Sequence, residues 1–351
     1  MSIPPEMTAI SITQFGGPEV LQPVRLPTPQ PGPGEVLIRV AAPGLNAPDL
    51  GQRRGTYNPP PDASPLPGLE VGGEIVALGK GVRGWSLGDE VAALTHGGGY
   101  AEYVAVAAGQ LLPVPVGWSM ASAAALPETF FTVEQTLVMR AGLATGMQVL
   151  IHGGAGGIGG AAIQIARLHG ASPIAVVSSP EKAAYALRLG AAETIDRSGE
   201  DFVARTLSIT GGKGADRIVD IVGGDTLEKN IRACARFGHI VIVSTLAGPR
   251  AEINASHILM KQLTLSGSTL RPQTREVKAA IARSLLRTVW PALADGRLVH
   301  PRIRALPLGE AARGHRELEK PDHYGKLILL TPWGEAMQQR THNSDNPIES
   351  A

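Results

Sequence analysis

The sequence predicts an α/β protein with a doubly wound parallel sheet and a second, β-rich domain. Three observations predict it. Residues 1–125 are rich in Gly and Pro and carry short β-type runs, at 36–40 and 103–106, between irregular loops. Residues 126–270 alternate strand-like apolar runs, at 149–152, 174–177, 217–222 and 239–244, with helical spacing. That alternation is the pattern of a parallel sheet covered on both faces. Residues 271–331 then return to a helix over 276–294, a helix-like 308–319 and a strand at 326–330. The polar 332–351 reads as a frayed or disordered tail.

Length and composition agree. The 351 residues suffice for two buried cores. Lys plus Arg (32) nearly cancels Asp plus Glu (31), for a net charge of +1. That balance lacks the electrostatic footprint of a nucleic-acid or acidic-membrane binder. No charged-then-apolar leader stands at the N-terminus, and no run reaches the roughly 18 apolar residues of a membrane span. The expectation is a soluble cytoplasmic protein with neither membrane nor nucleic acid as partner. The single Cys234 rules out internal disulfides. It falls in a helix-like run, 227–237, and is expected as a small buried residue rather than a nucleophile.

Within the second stretch, Val149-Leu150-Ile151-His152 runs into Gly153-Gly154-Ala155-Gly156-Gly157-Ile158-Gly159. Helical apolar spacing follows at Ile158, Ala162, Ile165 and Ala166. Gly154, Gly156 and Gly159 satisfy G-x-G-x-x-G. Among 43 glycines a chance match is easy; set between a strand and a helix, it predicts a dinucleotide site rather than a tight structural turn. Such glycines make the turn, admit backbone to a pyrophosphate and pack the helix closely. Ala155, Gly157 and Ile158 complete the loop, and the helix start offers N–H groups to phosphate.

The next strand, 174–177, ends in Ser178-Ser179-Pro180, without the carboxylate that usually holds the ribose of NAD. Lys182 follows, and Arg197 stands after a strand at Glu193–Asp196. Hydroxyls and cations suit a 2′-phosphate. The alternative is that Ser179 or Ser178 caps a helix beginning at Pro180, with Lys182 solvated on its first turn; capping and phosphate binding are compatible. NADPH is the expected cofactor. Val222, Thr245 and Leu246 follow the strand ends where open α/β sheets bind ligands.

Several further segments occur in order: Leu45-Asn46-Ala47-Pro48-Asp49-Leu50, Gln52-Arg53-Arg54-Gly55-Thr56-Tyr57-Asn58-Pro59-Pro60-Pro61, Gly68-Leu69-Glu70-Val71-Gly72-Gly73, Gly97-Gly98-Gly99-Tyr100-Ala101-Glu102-Tyr103, Leu126-Pro127-Glu128-Thr129-Phe130-Phe131-Thr132 and Gly267-Ser268-Thr269-Leu270-Arg271. Together they resemble the medium-chain dehydrogenase/reductase superfamily, and within it the zinc-free, zeta-crystallin-like NADPH:quinone oxidoreductase group. The resemblance spans 8–331. It implies that 1–125 and 271–331 form one discontinuous GroES-like catalytic domain around a Rossmann domain at 126–270.

Catalytic zinc takes three protein ligands from Cys, His and carboxylate. In zinc-dependent relatives a His precedes the Glu of a Gly-His-Glu motif; here Leu69 stands there, and the upstream Cys falls near Asn46. The nine His show no H-x-x-x-H pair, so no metal is expected. His96 reads as a loop residue and His152 as a packed or hydrogen-bonded neighbour of the glycine turn.

Without a Lewis acid, the protein's task is to place hydride donor and acceptor. Tyr57 is the candidate catalytic residue, its phenol bonding an acceptor carbonyl beside an apolar ring; the alternative is a loop Tyr packed on Pro59, Pro60 and Pro61. The resemblance implies that Asn46 and Thr132 contact the nicotinamide. Taken alone, Asn46 suits a turn bonded to its own backbone, and Thr132 a helix surface. Arg271 resembles a cofactor-contacting Arg or is a plain surface Arg. Lys326 could reach the cofactor or be a solvated Lys. Gly51 replaces the Tyr or Met of relatives, which suggests a wider pocket.

The leading functional expectation is zinc-independent hydride transfer from NADPH to a small-molecule acceptor, a quinone. Reduction of enones and 2-alkenals, or of enoyl thioesters, shares fold and donor. A third reading is an NADPH-binding structural or interaction protein without catalysis, since fold does not fix function. The run 263–268 reads as the last strand of the dinucleotide sheet, with an open edge. The resembling family pairs this edge across a two-fold axis, so a homodimer is expected.

Overall fold

The computed structural model describes residues 3–340 and 348–350. The chain divides into two compact units, one of residues 1–131, 271–294 and 300–351, the other of 132–270 and 295–299. Among the described residues no helix is long and apolar enough to cross a membrane.

The first unit opens with β1 (Glu6–Ile12) and β2 (Leu21–Pro27), an antiparallel pair in register from Glu6 opposite Pro27 to Ile12 opposite Leu21. Five more strands follow: β3 (Glu35–Pro43), β4 (Glu70–Leu78), β5 (Glu90–Leu94), β6 (Tyr103–Ala107) and β7 (Leu111–Pro113). They form one antiparallel sheet in the order β6-β3-β4-β5-β7. β3 is buried on both faces, and its successive side chains alternate between two clusters. Val36, Ile38 and Val40 join Val71, Ile75 and Val91 in one cluster, while Leu37 meets Met7, Ala9 and Tyr103 in another.

The second unit holds β8 (Gln148–His152), β9 (Ser172–Val177), β10 (Glu193–Asp196), β11 (Ala215–Asp220), β12 (Cys234–Ile242) and β13 (Thr264–Gly267). All pair in parallel, in the order β10-β9-β8-β11-β12-β13. The order reverses between β8 and β11, which is the switch point of a dinucleotide-binding sheet. Leu150, Ile174, Val176, Ile195, Ile218 and Ile240 of the strands bury with Val203 and Ile231 of the helices.

One expectation fails here. The helix expected over 227–237 is Thr226–Ala233, and Cys234 turns extended and opens β12. The register between β11 and β12 shifts between Ala215 and Arg217, and Phe237 takes φ 63°. Gly238 makes this irregular entry possible, because a Cβ there would collide with Cys234 Sγ. Cys234 is buried as expected, and burial pushes its thiol up to about 12, so it stays protonated and inert.

The chain then re-enters the first unit. The expected single helix is two, Arg275–Thr288 and Trp290–Ala294, interrupted just before Pro291, which has no N–H to continue the ladder. β14 (Ile303–Pro307), β15 (Lys326–Leu330) and β16 (Ile348–Ser350) form a parallel set in the order β15-β14-β16. The expected frayed tail instead begins with a helix, Pro332–Arg340. The Thr331 hydroxyl accepts from Gly334 N at 3.1 Å and donates to Val40 O at 2.7 Å. Pro332 suits a first turn. Gly334 lets the helix lie on β3, where a Cβ would collide with the Ala41 carbonyl. The Arg39 guanidinium sits 4.5 Å from the Trp333 ring. The cap Thr331-Pro332 is the signal that sequence reasoning missed. The rest of the tail, 341–347 and 351, lies outside the described residues.

Candidate active site

In the second unit the predicted strand, glycine turn and helix stand in that order. β8 ends at His152, Gly153 takes φ 64°, and the helix Gly157–Leu168 begins after Gly156 as N-cap. A Cβ on Gly154 would lie 2.6 Å from Ala175 Cβ, and one on Gly159 would collide with the Gly153 carbonyl. These two glycines are required by packing. Gly156 is different: its Cβ would meet only Gly153 O, at 3.4 Å. The turn therefore closes on the sheet at Gly154 and Gly159, while Gly156 and the first-turn N–H groups of Gly157 and Ile158 suit a pyrophosphate. Ala155 is buried in the turn. His152 is buried and hydrogen-bonded, its Nε2 2.7 Å from Asn230 Oδ1; burial holds it neutral.

Ser178, Ser179 and Lys182 come together after β9. Ser179 caps the helix Pro180–Arg188, accepting from Lys182 N at 3.3 Å, and Lys182 Nζ donates to Ser178 Oγ at 3.2 Å. The Glu181 carboxylate also bonds Ser179, which holds it below its ordinary range. Arg197 follows β10, and its N–H donates to Val177 O at 3.0 Å. It lines a cavity of about 300 Å³ together with Asp201, Thr226, Lys229 and Arg232, whose lining does not include the two serines or Lys182. Past β11, Asp220 Oδ1 accepts from Val222 N and Gly223 N at 2.8 and 3.0 Å. The Val222 carbonyl accepts from Ala247 N at 2.8 Å, next to Thr245 and the exposed Leu246. Sequence reasoning missed Asp220, whose place at a strand end, two residues before Val222, was the available signal. Thr132 is buried in the helix Pro127–Val133.

The first unit holds a buried polar cluster. Asn46 is N-cap of the helix Ala47–Arg54, and Asp49 accepts from Asn46 N at 2.9 Å. Asn46 Nδ2 donates to Glu70 Oε1 at 2.8 Å, while its Oδ1 accepts from Lys326 Nζ at 2.7 Å. Lys326 also donates to Glu70 Oε1 (2.6 Å) and Leu45 O (3.2 Å), using all three of its N–H bonds. The solvated Lys does not survive, because Glu70 at the start of β4 supplies a buried partner, while Asn46 keeps its local place at the helix start and adds Glu70 and Lys326 to it. Glu70 Oε2 in turn accepts from Glu128 N at 2.9 Å.

Tyr57 follows directly. Gly55, at φ 75°, stops the helix Ala47–Arg54, and Tyr57 N donates to Gly51 O at 3.2 Å. A Cβ on Gly51 would lie 2.8 Å from Tyr57 Cβ. Gly51 thus lets Tyr57 fold back on the helix. Burial, then the Glu128 carboxyl, raise the Tyr57 phenol above its ordinary value. Arg271 is 4 % exposed, not a surface residue. Its guanidinium carbon lies 5.8 Å from the Tyr57 ring centroid, and Nη1 donates to Gln52 Oε1 at 2.7 Å. Lys278 Nζ donates to Arg271 O at 2.8 Å and lies 3.2 Å from His96 Nδ1, whose other nitrogen is 3.2 Å from Asp62. Burial pushes Glu128 up to about 8 and Asp49 to about 6. These carboxyls, each within a short motif that also holds apolar residues, were the available sequence signal for the cluster.

The donor set does not suit zinc. Leu69 is buried and has no ligand atom, Asn46 is engaged with Glu70 and Lys326, and a lysine ammonium already neutralises Glu70. Among the described residues no group of three His, Cys, Asp or Glu could hold a metal.

Comparison with known proteins covers both units. A zinc-binding dehydrogenase family model matches residues 157–285, and an alcohol dehydrogenase GroES-like domain model matches 32–116. The chain is 36% identical to a quinone oxidoreductase of Pseudomonas aeruginosa and 32% identical to one of Rattus norvegicus. Each match covers 92% of this chain and 98% of the relative. Among solved structures, it is similar to an Escherichia coli quinone oxidoreductase complexed with NADPH (TM-score 0.79, 30% identity, 92% of this chain and 99% of that one). It is similar also to an NAD-dependent alcohol dehydrogenase (TM-score 0.81, 35% identity, again 92% and 99%).

Proposed function

Because the chain belongs to the quinone oxidoreductase group of the medium-chain dehydrogenase/reductase superfamily, we propose that it reduces quinones with NADPH and without zinc. The observation that carries this reading is the near-full-length similarity to proteins named quinone oxidoreductase, one of them solved with NADPH. The Asn46–Glu70–Lys326 cluster supports the zinc-free part, since a protein cation stands among the side chains where a metal would need ligands.

When bound, NADPH supplies a hydride with both electrons. The chain's own part is placement. Gly154, Ala155, Gly156, Gly157, Ile158 and Gly159 would hold the pyrophosphate; Ser178, Ser179 and Lys182 the 2′-phosphate, with Arg197 a more distant cation; Val222, Thr245 and Leu246 the ribose side. Thr132 would contact the nicotinamide. Asn46 would hold its carboxamide, with Lys326 fixing the amide's orientation from behind rather than touching the cofactor. Tyr57 would donate a hydrogen bond to the acceptor carbonyl. The edge strand β13, paired only with β12 among the described strands, would join a second copy.

The test is NADPH oxidation against quinones, alkenals and enoyl thioesters, repeated with NADH and with Lys182→Ala. Quinone turnover above the others, with a Michaelis constant for NADPH that Lys182→Ala raises about tenfold, is the expected result. Turnover confined to enoyl thioesters or alkenals would overturn the acceptor class. Tight NADPH binding with no turnover would return the chain to a non-catalytic binding role. Equal use of both cofactors by the unmutated protein would remove the NADPH preference.

A further inference from the structure

Arg271 is buried, yet only one of its three guanidinium nitrogens has a partner among the described residues. Nη1 donates to Gln52 Oε1, whereas Nε and Nη2 have no acceptor. Buried donors on a charged group are rarely left so, because their desolvation goes uncompensated. The surroundings hold the side chain in this state. Gln52 is itself anchored by Nε2 to Pro65 O at 2.8 Å. The Arg271 carbonyl is tied to Lys278. Gly97 makes room, since a Cβ there would lie 2.8 Å from Arg271 Nη2.

The carboxyls that act on Arg271 do not pair with it. Asp49 uses Oδ2 on Asn46 N and Tyr100 OH, and Oδ1 on Gly68 N. Glu128, raised to about 8, is neutral at pH 7. The remaining charged neighbour, Lys278, is a cation. In a guanidinium the Nε–H and one Nη2–H point the same way, a fork shaped for oxygen. Beside it lies the ring of Tyr57, the candidate acceptor contact.

We propose that Arg271 binds the acceptor rather than the cofactor: its Nε and Nη2 N–H groups receive the acceptor oxygen that becomes negative as hydride arrives. The proposal rests on the reductase reading and names its substrate requirement, an electron-poor acceptor whose conjugated carbonyl oxygen can take the charge. The balance is simple. The hydride brings two electrons and one hydrogen to the acceptor, the charge collects on oxygen against the fork, and a proton from water then neutralises it. Fixed donors aimed at developing charge need no reorganisation during the step, which is why such groups accelerate reactions.

The experiment compares Arg271→Met and Arg271→Lys with the unmutated enzyme, measuring quinone kinetics and, separately, NADPH dissociation by fluorescence titration. Arg271→Met should lower kcat/KM for the quinone by about 100-fold or more, the size expected for a lost oxyanion donor. Arg271→Lys, which keeps the charge without the fork, should recover only a minor part. NADPH dissociation should change by less than about threefold, since the proposed bonds go to the acceptor and not to the cofactor. Added methylguanidinium should partly restore turnover in Arg271→Ala. Should the Arg271 variants fail to fold, Gln52→Leu leaves Arg271 in place but frees its strut, and should raise the quinone KM with NADPH affinity unchanged. A weakening of NADPH binding by more than about tenfold with quinone KM unmoved would overturn the proposal in favour of a cofactor contact. So would a kcat/KM within about threefold of the unmutated enzyme. An unmutated enzyme inert to every carbonyl acceptor would sink the reductase reading and this proposal together.

Discussion

Lys326 Nζ lies 2.6 Å from Glu70 Oε1, the Lys 4 % exposed and the Glu 0 %. The pair links the first residues of β15 and β4, and Asn46 closes it. Removing one partner strands the other charge away from water. Lys326→Met is therefore expected to lower unfolding free energy by about 3–5 kcal/mol. Lys326→Met with Glu70→Leu should recover part of that, because no charge is then left alone. Urea unfolding of both variants is the measurement, and a loss below about 1 kcal/mol in the single variant would mean that the pair is reached by water.

Glu128 and Lys278 give stability an unusual dependence on pH. Burial raises Glu128 from 4.5 to about 8 and lowers Lys278 from 10.5 to about 8. Between 4.5 and 8 the folded chain keeps a Glu128 proton that the unfolded chain has lost, so stability falls as pH rises through that window. Between 8 and 10.5 the unfolded chain keeps a Lys278 proton that the folded chain has lost, so stability rises again. Glu128→Gln should flatten the lower window and raise the melting temperature near pH 8 more than near pH 5, by roughly the amount that linkage assigns to one group. An unchanged profile in scanning calorimetry would show that Glu128 is ionised in the folded chain.

Gly156 and Gly159 should separate binding from folding. Gly159→Ala places a methyl against the Gly153 carbonyl and should cost about 1–3 kcal/mol of stability. Gly156→Ala has room and should cost about 1 kcal/mol or less as an N-cap change, while weakening NADPH binding about tenfold where backbone must approach phosphate. Calorimetry of the two variants with and without NADPH checks both halves. Equal loss of stability in each would contradict the assignment.

Tyr57→Phe removes one phenol and leaves the ring over Arg271. If the phenol only orients the acceptor, turnover should drop by roughly 3- to 30-fold, or about 0.7–2 kcal/mol of barrier. An obligatory proton donor would cost on the order of 10²- to 10⁴-fold. No change in steady-state kinetics would leave Tyr57 as a packed loop residue.

Pairing through β13 is expected to make a dimer in solution, with the sheet continuous across both copies. Leu265→Pro, which removes a ladder N–H from that edge, should shift light-scattering mass toward the monomer. A unmutated protein that is already monomeric at micromolar concentration would end the idea.

The parallel sheet and its glycine turn were legible because their information is local. A strand, three spaced glycines and a helix fix one another through backbone sterics within a few residues, as Gly153 and Gly159 do. The ionised cluster was not legible in the same way. Lys326, Asn46 and Glu70 are distant in sequence, and a Lys read alone belongs in water; only the fold brings it a buried carboxylate. Arg271 was hidden for the same reason, its strut Gln52 standing 219 positions away. The helix at Pro332–Arg340 is masked by its polar composition, and rests on the cap at Thr331 and the close contact at Gly334.

The crowding between Gly51 and Tyr57 ties the two positions to each other. The volume that a side chain at 51 would need is already taken by the first carbon of Tyr57, so the two positions compete for one berth. A side chain at 51 cannot be added here while Tyr57 keeps its place; one must yield. Any reshaping of this turn must therefore proceed in paired steps, with a bulky residue placed at one position only as the loop bearing the other swings away.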